Sequence, residues 1–168
     1  NDDKALRHAG DSSLYTEPCD NPLEFKFSYK RIEPVSVARV DGGILYDFGK
    51  ESFGIITVLG DDCELLISLG ESYEEATDYK FANCVINAKI KDGAFKSQGC
   101  AFRYLFIPNL DTELTVFADL EYLPLENKGA FKCDNDEINT LWDICAYTML
   151  LNSREAFFDG IKRDRWVW

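Results

Sequence analysis

From Leu23 onward the chain alternates apolar and polar residues with a period of two. In "LEFKFSY", Phe25, Phe27 and Tyr29 stand against Glu24, Lys26 and Ser28. After a break at Pro34 the rhythm returns in "VSVARV", "GILYDFG", "GIITVLG", "CELLISLG", "FANCVINAKI", "CAFRYLFI" and "LTVFADLEYL". Successive side chains of a strand point to opposite faces, so each run offers one apolar face for burial. Turn chemistry separates the runs at Gly42-Gly43, Gly60-Asp61-Asp62, Asp92-Gly93 and Pro108-Asn109. Short strands with no helix-length periodic stretch between them predict a mainly β fold, an antiparallel β-sandwich rather than a doubly wound sheet.

The period changes at residue 133. In "CDNDEINTLWDICAYTMLLN", Ile138, Leu141, Trp142, Cys145 and Met149 fall at helical spacing. Asp134 with Glu137 three residues on forms a capping box, and acids crowd the first turn, where the helix dipole favours them. The spacing predicts a helix from Asn135 to Leu151, about 25 Å long at 1.5 Å per residue. No second helix follows to cover its apolar stripe, so the helix is expected to fold back on the sandwich or to pair with another copy, giving a homodimer. Residues 1–22, with "DSS" and "EPCDNP", show no sustained period and read as a tail or linker. The sandwich is placed at 23–128, and a composition shift at Lys128-Gly129 opens a second unit at 129–168.

Composition narrows the function classes. Hydrophobic residues make up 46% and aromatics 14% of the 168 residues, enough for a packed core. No run of eighteen apolar residues exists to span a bilayer, and no membrane partner is expected. The only methionine is Met149, so residue 1 is expected not to be the translation start, and the missing leader says nothing about compartment. A net charge of -12 repels phosphate backbones; the one basic cluster, "KRDR", contains Asp164 and adjoins Asp159, so nucleic acid is not expected as a partner. Six scattered cysteines without a CxxC, and a lone His8, argue against a zinc site. Cys63 on a strand alternation and Cys145 on the helical stripe are expected to be buried small hydrophobes. The acids of "GESYEEA" (Gly70 to Ala76) read as a solvated turn rather than a calcium loop. Ser153 has no neighbouring histidine, so a serine triad finds no support.

The last ten residues, "DGIKRDRWVW", gather acids, cations and two tryptophans at the chain end. If Asp159 and Asp164 shared one helix they would stand roughly 140° apart, so their convergence requires a loop, which Gly160 permits. "LNSREAFFDGIKRDRWVW" resembles the start of the catalytic domain of α-L-rhamnosidases, family 78 of the glycoside hydrolases. There a D-x-P-x-R-E loop, an aromatic stretch and a Gly-Asp enter an (α/α)6 barrel. "LYDFGKESFG", "LGESYEEA", "FRYLFI" and "GAFKCDNDEINTLWDICAYTMLLN" similarly resemble the sandwich and first helix ahead of that barrel.

The resemblance implies a jelly-roll or concanavalin-like sandwich followed by one C-terminal helix that begins the barrel. It implies hydrolysis of terminal α-L-rhamnosides with inversion, with a rhamnoside-type carbohydrate as the partner, no cofactor and no catalytic metal. Inversion needs an acid and a base carboxyl roughly 6.5–9.5 Å apart. By this resemblance Asp164 is the candidate general acid, while Asp159, Arg163 and Trp168 are substrate-binding residues. The general base would lie downstream of residue 168, which leaves the 168-residue chain itself inactive.

Three departures accompany the match. Asp164 stands where the pattern has glutamate, Gly160-Ile161 replaces the proline-containing pair, and the Gly-Asp is absent. Arg163 and Arg165 flank Asp164 and favour its ionised form, so a loop ion pair is the alternative to acid catalysis. Asp159 serves equally as a turn residue, and Trp166 and Trp168 as core. The alternative for the whole chain is a non-catalytic carbohydrate-binding or scaffold sandwich. A periplasmic or extracellular site suits a parent enzyme of this kind, and nothing in the sequence speaks against a cytoplasmic one.

Overall fold

The computed structural model describes residues 26–125, 128–154 and 157–162. Seven strands follow in order: β1 (Ser28–Ile32), β2 (Ser36–Val40), β3 (Gly43–Leu59), β4 (Cys63–Gly70), β5 (Cys84–Ile90), β6 (Ala94–Pro108) and β7 (Thr115–Tyr122). Two helices accompany them, α1 (Tyr73–Thr77) between β4 and β5, and α2 (Asp136–Asn152) after β7. The strands form one sheet in the order β1-β7-β3-β6-β4-β5, with β2 added on β3. All pairings are antiparallel.

The sheet becomes a sandwich because β3 and β6 are long enough to serve both layers. The first part of β3, Gly43 to Asp47, pairs with β2 and with the end of β6. Its second part, Gly54 to Leu59, pairs with β7. Between them the β3–β6 register slips at Asp47/Ser52, a β-bulge of the kind that bends a strand. Ile44 and Tyr46 before the slip, Phe48 within it, and Ile56 and Val58 after it enter one core with Phe102, Leu105, Ile107, Ile67, Leu69, Val116 and Ala118. The Tyr46 hydroxyl ties the halves together, donating to the Leu114 carbonyl (3.1 Å) and accepting from the Leu114 amide (2.9 Å).

"GILYDFG" and "GIITVLG", expected as two strands, are therefore one, and "CAFRYLFI" extends backward through "AFKSQG". Lys26 and Phe27 precede the first strand, which starts at Ser28; the earlier part of "LEFKFSY", and the tail assigned to 1–22, lie outside the described residues. The Asp92-Gly93 turn forms as its chemistry requires. Both residues have positive φ (53° and 85°), and Lys91 and Ala94 exchange backbone hydrogen bonds across it.

One-face burial holds only in part. Gly43 to Tyr46 is buried at every position, because the outer face of that half carries a second cluster of Leu45, Phe106 and Ala76 beneath α1. "GESYEEA" is thus a capped helix and not a solvated turn: Ser72 accepts from the Glu75 amide, and Ala76 is fully buried. Gly70 allows this close approach, since a Cβ there would lie 2.5 Å from the Ala76 nitrogen.

The predicted α2 is present one residue later than expected. Its cap is Asn135, not Asp134, with Asn135 Oδ1 accepting from the Glu137 and Ile138 amides. Cys63 and Cys145 are exposed rather than buried. Cys63 opens β4 before that strand enters the core, and Cys145 lies on a stripe of α2 where Ile138, Leu141 and Met149 are exposed as well. Cys100 enters the core instead, and Cys84 packs against it.

Candidate functional site

A polar cleft of about 770 Å³ lies where β3, the β4–α1 turn and α1 meet the end of α2 and residues 157–162. Its walls come from separate elements. The bulge of β3 places Glu51, the Ser72 cap places Glu75, and the segment after α2 brings Asp159 and Lys162.

Two anchors hold the segment after α2 against the sandwich. The first is apolar: Leu151 and Ile161 pack with Phe53 and Ala101, flanked by Tyr147. Tyr147 also donates its hydroxyl to the Glu51 carbonyl at 2.5 Å. The second is Arg154, whose side chain is almost fully buried and pairs with Glu121 of β7. Its guanidinium lies 4.5 Å from the Phe27 ring centre and 4.1 Å from that of Phe53, and Tyr29 donates to the other Glu121 oxygen at 2.7 Å. The chain then turns back, with an isolated Ser153–Phe157 bridge and the Phe158 amide donating to the Asn152 carbonyl.

The cleft is electrostatically asymmetric. Arg103 is held by Asp47 through two hydrogen bonds of 3.1 and 3.2 Å. Burial alone would raise the Asp47 carboxyl, but the Arg103 bond and the Gly49 amide bring it below the usual range. Lys162 pairs with Glu75. Burial pushes Glu75 up, and the Lys162 ammonium with the Glu71 amide pulls it below its ordinary value. Glu51 goes the other way. Burial first, then the negative charge of Glu71, raises its carboxyl to about 8 against the opposing pull of Lys162. Its Oε1 is buried and has no hydrogen-bond partner among the described residues.

Of the residues singled out from sequence, Asp159 lies exposed at the rim of this cleft, next to Gly160. Arg163, Asp164 and Trp168 lie outside the described residues. Glu51, Lys162 and Arg154 carried no spacing signal, and Glu75 was visible only as part of an acidic run. Among the described residues no group of three His, Cys, Asp or Glu is arranged to hold a metal ion, and no helix is long and apolar enough to cross a membrane.

Fold and cleft together define a β-sandwich module with a helical extension docked on its flank. The family model described as "Alpha-rhamnosidase-like, bacteroidetes, N-terminal" matches residues 6–107, and the chain belongs to that family. Solved structures share the fold, three of them rhamnosidases. A rhamnosidase from Klebsiella oxytoca with rhamnose bound matches 87% of this chain and 39% of its own, at 15% identity and a TM-score of 0.69. An alpha-L-rhamnosidase from Dictyoglumus thermophilum matches 81% of this chain and 17% of its own, at 24% identity and a TM-score of 0.64. A GH78 family rhamnosidase of Bacillus sp. GL1 matches 79% of this chain and 16% of its own, at 20% identity and a TM-score of 0.61. The chain therefore spans well under half the length of these structures. No curated protein matches it in sequence.

Proposed function

We propose that the chain is the sandwich and the opening of the catalytic domain of a longer inverting glycoside hydrolase acting on terminal α-L-rhamnosides. In this reading α2 is the first helix of an (α/α)6 barrel, Asp164 is the general acid, and Asp159, Arg163 and Trp168 contact the sugar. The observation that carries it is a continuity. A sandwich of the rhamnosidase-like family runs on into a segment anchored to its flank, which sets Asp159 at the rim of a polar cleft. The short span of the solved rhamnosidases that it matches, and the apolar face of α2 left open to solvent, support a longer parent.

The test is an assay on a nitrophenyl α-L-rhamnoside with two proteins, the 168-residue chain and one extended along its parent gene. The extended protein is expected to turn over with inversion, and Asp164→Asn to cost it about 10²–10⁴-fold in kcat, the usual contribution of a positioned acid. The 168-residue chain is expected to be inactive. An Asp164→Asn variant with undiminished turnover would remove Asp164 from the acid role.

A further inference from the structure

Several chain segments converge on one carboxyl group, that of Glu51. From the β4–α1 turn and α1 come Glu71 and Glu75, and from the segment after α2 come Lys162 and, at the rim, Asp159. On β6, Arg103 is already committed to Asp47. On α2, Tyr147 holds the Glu51 backbone, while Lys50, beside Glu51 in β3, lies 3.9 Å from the centre of the Tyr147 ring. Among the described residues, Lys162 is thus the cation that reaches into the group of Glu51, Glu71 and Glu75, and it is paired with Glu75.

Residues 157–162 are held to the sandwich through Ile161 in its apolar pocket and Lys162 on Glu75. Those two residues also line the cleft that holds Glu51. We propose that Glu51, Glu75 and Lys162 form a proton-controlled latch, in which protonated Glu51 lets the 157–162 segment dock on the sandwich and ionised Glu51 releases it.

The reasoning is one of charge count in a poorly hydrated place. With Glu51 neutral, Lys162 balances Glu75, and Glu71 remains at the exposed edge of the cleft. An ionised Glu51 adds a buried negative charge beside two others, with no donor for its Oε1 among the described residues. Lifting the segment readmits water to that carboxylate and gives up the packing of Ile161. Docking therefore holds a proton that release gives up. The raised carboxyl value places the switch between 4.5 and about 8. The sign follows: docking weakens as pH rises through that window, at most about tenfold per pH unit for one linked proton. Because the segment carries Asp159, the latch sets whether that carboxylate stands at the cleft rim. The latch involves only contacts inside this chain and stands whether or not the glycosidase reading does.

Amide hydrogen exchange of the 168-residue chain, corrected for intrinsic rates, tests it from about pH 6 to about pH 8.5. Protection of residues 157–162 is expected to fall by about tenfold per pH unit in the steep part of the range, with Ile56 and Val58 in the core unchanged. Glu51→Gln, isosteric and unable to ionise, is expected to keep the segment protected with no pH slope. Lys162→Met is expected to lower its protection throughout while the core amides hold. A wild-type segment whose protection is flat with pH, a Glu51→Gln slope equal to the wild type's, or an unchanged Lys162→Met segment would each overturn the latch.

Discussion

Asp47 and Glu51 stand four residues apart on β3, the first at the edge of its register slip and the second within it, and their carboxyl groups are pushed in opposite directions. Asp47 is met by a guanidinium fork and an amide, so its charged form is favoured despite partial burial. Glu51 is largely buried and is met by other carboxylates and by Lys162, which is already paired, so its neutral form is favoured. A carboxyl group lowered in the fold adds stability that is present above the unfolded value, 3.8 for Asp47, and is lost as pH falls through the folded one. The Asp47 and Arg103 side chains are 19% and 38% exposed, which puts their pair near the surface class. Asp47→Asn is expected to cost about 0.5–1 kcal/mol at neutral pH and clearly less at a pH well below 3.8. Urea unfolding at the two pH values reads the difference; an equal loss at both would mean that the pair's charge is not what stabilises it.

At the scale of elements, α1 is the piece that a period-two reading leaves out. Its five residues bury Ala76 over Leu45 and Phe106, and Tyr79 just beyond it stacks near Phe106 with ring centres 6.4 Å apart. This lid exists because β4 ends in a residue without a Cβ, and because Ser72 and Glu75 satisfy the first amides of a helix too short to persist alone. Gly70→Ala is expected to cost about 1–3 kcal/mol, the range of overpacked sites, since its new methyl meets backbone that cannot rotate aside. Thermal unfolding, with NMR contacts between Tyr79 and Phe106, measures it. A variant as stable as the wild type with those contacts intact would show that α1 shifts freely on the sheet. The same lid also sets Glu75 opposite Lys162, so the packing of α1 and the polar cleft depend on one glycine.

Across the whole molecule, the sandwich and α2 are joined at one end of the helix. Arg154, Leu151 and Tyr147 fix the last turns, while Ile138, Leu141, Ile144 and Met149 face solvent and Trp142 stacks on Phe131 with ring centres 5.4 Å apart. In a longer parent this face would pack against the helices that follow. In the 168-residue chain it is expected to pair two copies, as exposed apolar stripes tend to do. Sedimentation equilibrium should then give twice the monomer mass, and Leu141→Lys should weaken association at least about tenfold, or roughly 1.4 kcal/mol. A wild-type chain that stays monomeric at high concentration would leave the face without a partner of its own kind.

Much of this fold could be read from the residues alone. The strand runs, the Asp92-Gly93 hairpin and the single terminal helix follow from periodicity and turn chemistry, which act over a few neighbouring residues. Asp159 was legible as a candidate through its resemblance to a family loop. The sequence did not disclose that β3 and β6 each run through both layers, that Gly43 to Tyr46 is covered on both faces, or that Cys63 and Cys145 stay in water. Nor did it disclose the chemistry around Asp159, because Glu51, Glu75, Lys162 and the Arg154–Glu121 pair come from distant parts of the chain. Alternation tells a side chain which way to point. What lies there, and whether a carboxylate meets water, a cation or another carboxylate, depends on long-range packing, and only the tertiary structure decided it.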